Sequence, residues 1–381
     1  MKKILITIFV LIITFGIFSS SYVQSNILNM LIKSGIENNQ IFPEEDALSV
    51  LVCGSGSPLG TAVAQTCLLV KAGDKKYVVD IGNGSVNNLM TWSSDLLEDI
   101  NGVLITHLHS DHIADLGDLN LVTWVTRDRK QQLEVFGPEG INDVVSGYNL
   151  AFSRDSNFRY LHHGNQIADP LTGGMTAKEI EDGSVIFEDD NLKISAFKVF
   201  HEPIEPALGY KFEYKDRVLV ISGDTRYDSE LIKSFKGADV LFCEVISPDI
   251  VDRFIKVAEQ QNDAKLKKIL VDILDYHISP LDAVDLANEA GGQELEKLPD
   301  LSLKQSNVLP PPPHPEAERL EDGSATLAAM RRRWGARARL RGRGPALRRC
   351  ARLVVLFTCF AVCSQFAPGV CWVREGLVVC Q

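Results

Sequence analysis

One stretch restricts this chain more than any other. In Thr106-His107-Leu108-His109-Ser110-Asp111-His112, three imidazoles and a carboxylate fall within six residues, directly after the apolar run 102–106. Imidazole nitrogen and carboxylate oxygen are good zinc ligands. A loop at a strand end can turn His107 and His109 toward one ion while Asp111 and His112 face a second. Two ions about 3.5–4 Å apart can share a water and lower its pKa toward neutrality. A solvated polar loop, the plain alternative, does not call for this density of donors.

The surrounding pattern says what kind of frame carries the loop. Short apolar runs at 48–52, 66–70, 76–81, 102–106, 133–136, 192–200, 209–214, 217–222 and 240–245 read as strands. The run 76–81 closes on Asp80 and Gly82. Helical patterns lie between them at 83–97, 140–152, 229–235 and 280–290. Strands of about five residues alternating with helices predict an α/β layer architecture.

The two ends differ from this body. Lys2 and Lys3 precede an apolar run at 4–18 and a small, polar stretch at 19–25, the pattern of a secretory signal peptide. Residues 1–25 are therefore expected to be a signal peptide, 26–46 a linker and 47–292 the catalytic domain. The protein is expected to be exported, to the periplasm or the extracellular space, with no stable membrane insertion after signal removal. Beyond Gly292 the character changes. A proline run, Pro310 to Pro313, is followed by an Arg-rich stretch and a second apolar run. Residues 331–381 hold eleven Arg, one Glu and no Lys, a local charge of +10, so the net −11 leaves about −21 for residues 1–330. Residues 293–381 read as a Pro/Arg-rich tail that does not belong to the domain, either disordered or drawn from a different reading frame or a fused segment. Cys53, Cys67 and Cys243 lie in the body, and their pairing cannot be read from sequence.

Two His cannot saturate an ion, so further ligands must come from elsewhere. The chain has only eight His. His201 follows a strand and begins His201-Glu202-Pro203. Asp224 follows another in Ser222-Gly223-Asp224-Thr225, where a carboxylate can bridge two ions. Either could instead be a surface or turn residue. His162 and His163 have no ligand spacing to the cluster and read as a surface pair.

These segments together resemble the metallo-β-lactamase superfamily, in the branch shared by ribonuclease Z and a group of exported arylsulfatases. The residues that carry the resemblance are Gly54-Ser55-Gly56-Ser57-Pro58, the run His107 to His112, Phe136-Gly137-Pro138-Glu139-Gly140, the segment His201 to Tyr210, and Ser222 to Thr225. It covers about residues 47–292. It implies an αββα sandwich with zinc at one edge, one ion or two. It implies His107, His109 and His201 on one ion, Asp111 and His112 on the other, and Asp224 between them. It also implies that His277, in Tyr276-His277-Ile278-Ser279-Pro280, passes a proton to the leaving group, a task suited to imidazole. Ser279 beside it offers the plainer reading of a helix-entry His next to a capping Ser. The branch calls for one more His on a later strand. This chain offers only His314, inside a proline-rich segment, and the ligand does not carry over to it. The sandwich is therefore expected to lack its native C-terminal strands, and the second ion one ligand.

Export and the acidic body argue against a transfer-RNA substrate, and so does the absence after Gly140 of the basic Gly/Pro-rich arm that the resemblance to ribonuclease Z calls for. Trp124, Tyr148 and the polar stretch through Arg159 look like the wall of a small pocket. The expectation is hydrolysis of a sulfate or phosphate ester of a small molecule by a metal-bound hydroxide, with Asp111 orienting the water and His277 as proton donor. No specific nucleic acid partner is expected. The oligomeric state is left open, a dimer being compatible. The alternatives are a ribonuclease Z-type endonuclease, a β-lactam or amide hydrolase, and a catalytically impaired metal-binding chain.

Overall fold

The computed structural model describes residues 21–36, 41–42, 46–58, 63–127, 129–291, 352–357, 370–374 and 377–380. The expected signal peptide before Ser21 and the tail segment 293–351 lie outside them. The first element among the described residues is a helix, α1 (Ser21–Ile36), where the sequence reading placed the cleavage region and the start of a linker.

A first sheet opens as an antiparallel meander of β1 (Leu48–Gly54), β2 (Cys67–Ala72) and β3 (Lys75–Val79). It continues in parallel through β4 (Ile100–Leu104), β5 (Leu133–Gly137) and β6 (Met175–Glu179). Parallel neighbours need crossovers. Here these are α2 (Ser85–Trp92), then α3 (Ser110–Ile113) with α4 (Leu116–Thr126), then α5 (Ile141–His163). The second sheet runs antiparallel through β7 (Val185–Glu188), β8 (Leu192–Val199), β9 (Ala207–Tyr214) and β10 (Arg217–Ile221). After α6 (Leu231–Phe235), β11 (Val240–Val245) adds in parallel to β10. Three helices follow, α7 (Pro248–Gln260), α8 (Ala264–Tyr276) and α9 (Pro280–Gly291).

Period-two alternation sorts the side chains into layers. Val50, Leu68 and Val70 point into the gap between the sheets and meet Tyr210, Phe212 and Leu219 from the other side. Their neighbours Leu51, Leu69 and Val78 face outward and pack under Leu89, Leu116 and Ile141 of the covering helices. On the opposite face Val220, Leu241 and Cys243 pack under Phe235 and Leu286. Strands buried on both faces are mostly apolar, and β11, with all six residues buried, is apolar at every position but Glu244. The result is the expected helix–sheet–sheet–helix stack. The hairpin of α7 and α8 carries a small core of its own, with Val251, Ala258, Leu270 and Ile273. No strand or helix was expected there.

β12 (Arg352–Phe357) runs parallel to β11, with Val240 opposite Arg352 and Val245 opposite Phe357. β13 (Val370–Arg374) and β14 (Leu377–Cys380) form a hairpin beside β1. These three strands lie in the segment that the sequence reading assigned to the tail. Their β-branched and apolar composition suits edge pairing. β12 nevertheless carries no His, so it does not bring the ligand that the resemblance calls for.

The topology gathers one end of the stack. β3 and β4 are parallel, β10 and β11 are parallel, and β8 and β10 both oppose β9. The residues that follow β3, β4, β8 and β10 therefore emerge at shared edges of the two sheets. Tyr210 Oη donates to the Ile105 carbonyl (2.6 Å) and the Leu208 amide to the Thr106 carbonyl (2.9 Å), joining the sheets at that edge.

Candidate metal centre

His107 and His109 leave the end of β4, Asp111 and His112 start α3, His201 follows β8 and Asp224 follows β10. The fold brings all six together. His109 Nδ1 lies 2.9 Å from His107 Nε2 and 3.4 Å from His201 Nε2. Tetrahedral zinc with N at 2.0–2.1 Å would set its ligand atoms roughly 3.3 Å apart. His112 Nε2 lies 3.4 Å from Asp224 Oδ2 and 3.8 Å from Asp111 Oδ2. It is buried and has no hydrogen-bond partner among the described residues. A buried imidazole nitrogen left open in this way, facing two carboxylates, fits a metal ion. The groups His107–His109–His201 and His107–His112–Asp224 are each compact enough to hold one.

Three of the four imidazoles have a polar partner at the ring nitrogen turned away from the cluster. Thr106 Oγ1 lies 3.1 Å from His107 Nδ1. Asp80 Oδ2 accepts from His112 Nδ1 at 2.8 Å. The Tyr276 carbonyl accepts from His201 Nδ1 at 2.9 Å. Fixing one ring nitrogen as donor leaves the other as ligand. Asp80 was visible only as a strand-end residue. It is buried, and it also takes the Thr106 amide (2.8 Å) and hydroxyl (2.9 Å), so one carboxylate anchors the whole loop. The backbone must come close for this. A Cβ on Gly82 would sit 2.1 Å from the Asp111 carbonyl oxygen, and Gly223, at φ +64°, lies against Thr106 just before Asp224.

The electrostatics divide the cluster. Burial pulls His107 well below the usual imidazole pKa, and it pulls His201 down to about 4. Burial opposes the charged form of His112 too, but Asp224 and Asp80 outweigh it and raise that pKa well above the usual value. Burial would raise Asp224, yet His112 and His277 hold it well below the ordinary carboxylate range. Burial raises Asp111.

His277 caps α8 and stands at the rim. Its Nδ1 lies 2.6 Å from Glu244 Oε1 and 3.9 Å from Asp224 Oδ2. Burial lowers its pKa, but Glu244 and Asp224 push it up to about 9. Glu244 was not singled out from the sequence. The signal was there, since it is the only acid inside the fully buried strand β11, where an acid needs a partner.

A family model described as the Beta-lactamase superfamily domain matches residues 77–295. The chain belongs to the beta-lactamase superfamily. It is 33% identical over 246 residues to ribonuclease Z of Mycobacterium sp. (strain KMS), covering 64% of this chain and 81% of that protein. It is 32% identical over 247 residues to ribonuclease Z of Mycolicibacterium gilvum, again 64% of this chain and 81% of that one. Among solved structures it is similar to human tRNase Z, short form, with TM-score 0.47, 21% identity, and coverage of 64% of this chain and 88% of that chain. It is also similar to the metallo-beta-lactamase fold protein YhfI from Bacillus subtilis, with TM-score 0.46, 18% identity, and coverage of 64% and 83%.

This superfamily member is thus a hydrolase of the metallo-β-lactamase type. The curated relatives correct one expectation. They are ribonucleases, which overturns the small-molecule ester as substrate and the exclusion of specific nucleic acid. The pocket wall is corrected as well. Trp124 is buried and donates its indole N–H to the Asp169 carbonyl (2.8 Å), so it is core. Tyr148 Oη bonds the carbonyls of Ile113 and Ala114, tying α5 to the metal-site loop. His162 and His163 are exposed at the end of α5. His314 lies outside the described residues.

Proposed function

We propose that this hydrolase cleaves a phosphodiester bond of RNA, as a ribonuclease Z-type enzyme. Relatedness to ribonuclease Z over about four-fifths of that protein's length carries the choice of RNA. The site supports it, because it sets a protonated donor beside a set of six metal-ligating side chains.

In this reading His107, His109 and His201 would hold one zinc, Asp111 and His112 would hold a second, and Asp224 would serve as a further ligand. Zinc, when bound there, supplies Lewis acidity and lowers the pKa of a nearby water. Asp111 accepts a hydrogen bond from the attacking water, orients it and takes up the proton that it loses on attack. The water oxygen bonds to phosphorus, and the bond from phosphorus to the leaving nucleotide oxygen breaks. His277, protonated at neutral pH, gives that oxygen its proton. Glu244 keeps the His277 Nδ1–H turned inward, so the Nε2–H serves the leaving group. The reading includes export, so its RNA is one met outside the cytoplasm, and the precursor transfer RNA below serves as an assay probe. The Cys53–Cys67 disulfide between β1 and β2 suits an oxidising compartment.

The test is a precursor transfer RNA incubated with the zinc-loaded full chain, with a chromogenic β-lactam as a second arm. Zinc-dependent cleavage of the RNA, suppressed in His277→Ala, is the expected result. Turnover of the β-lactam with the RNA left intact would replace this reading.

A further inference from the structure

The proton donor has an aromatic neighbour that the reaction leaves unused. Tyr276 is the last residue of α8, so the α7–α8 hairpin delivers it and His277 together. Its backbone is pinned, because its carbonyl takes the His201 Nδ1–H. Its ring centroid lies 5.2 Å from that of His201, nearly edge-on at 83°, and 4.8 Å from that of His277. The His201 and His277 rings are themselves 5.2 Å apart. The three rings form a triangle between a candidate ligand and the proton donor. The Tyr276 side chain is only half-buried.

Resting on the ribonuclease reading, we propose that Tyr276 is a positioning residue whose ring stacks on the base of the leaving nucleotide. A base hangs one sugar away from the scissile phosphate, on the side that His277 serves. An aromatic face there holds any base, since every base has a π-face. The ring would restrain the leaving nucleotide while the His277 proton is transferred.

The test is a cycle on the zinc-loaded full chain with precursor transfer RNA. The substrate carries either a normal nucleotide or an abasic ribose on the leaving side of the scissile bond. Removing the base should weaken kcat/KM by about tenfold in the parent protein, the scale of one stacking contact. The same loss should appear in the Kd measured by fluorescence anisotropy under chelation. Tyr276→Phe and Tyr276→Trp keep a ring and should keep the penalty. Tyr276→Leu should erase it in both measurements, with zinc content unchanged. If Tyr276→Leu shows the parent's penalty, or all three substitutions abolish it alike, the stacking assignment falls while the ribonuclease reading stands. If the parent cleaves no RNA, the ribonuclease reading falls and takes this assignment with it.

Discussion

Replacing Asp80 by Asn tests how the metal cluster is wired. Asp80 accepts three hydrogen bonds, from the Thr106 amide, the Thr106 hydroxyl and His112 Nδ1. Asn keeps the size and fits the backbone, since φ at Asp80 is 56° and Asn tolerates that region well. What changes is the sign of one contact. With the Asn oxygen still facing the Thr106 amide, its NH2 faces His112 Nδ1, which must then accept. The imidazole proton moves to Nε2, the atom that faces Asp111 and Asp224, and a protonated nitrogen cannot ligate. Loss of a residue that orients a metal ligand costs about 10–100-fold in metal affinity. At about 1.4 kcal/mol per tenfold, that is roughly 1.4–2.8 kcal/mol at the His112 ion. Competition against a colorimetric chelator should show the weaker ion released first in Asp80→Asn, with the ion of His107, His109 and His201 less affected. Two ions held as tightly as in the parent would refute the tautomer argument.

Other outcomes follow from the same geometry. The double substitution His107→Ala/His109→Ala should abolish zinc at the first position, read by elemental analysis, and unchanged zinc would sink that assignment. Glu244→Gln frees His277 from its charged partner and should lower kcat by about 10²-fold or more, the scale of one general acid, with KM little changed in steady-state kinetics. The pair Cys53→Ala/Cys67→Ala opens a link spanning 14 positions and should cost about 3 kcal/mol in urea unfolding. Arg129, whose guanidinium reaches Asn120 Oδ1 and the Thr172 and Gly174 carbonyls, should cost about 2–4 kcal/mol when changed to Met, read in the same assay.

The sequence alone determined the local part of this protein. Most strands of the body could be read within a few residues, because strands packed on both faces are mostly apolar, whereas β6 and β7, largely exposed and rich in polar residues, were missed. The run His107 to His112 was legible because its donors lie within one loop. The distant members were only half legible. His201 and Asp224 stood out by their place after strands, but their meeting depends on β8, β10 and β4 ending at shared edges. Nothing local shows that Asp80 would orient His112, that Glu244 would pair with His277 across 33 positions, or that the Tyr276 carbonyl would fix His201. Trp124 shows the opposite error, since an aromatic residue looks the same in sequence whether it lines a pocket or fills a core. Hydrogen bonds between residues far apart in the chain leave no periodic mark on sequence. They form only after burial has removed water as the competing partner, and so tertiary structure alone decides them.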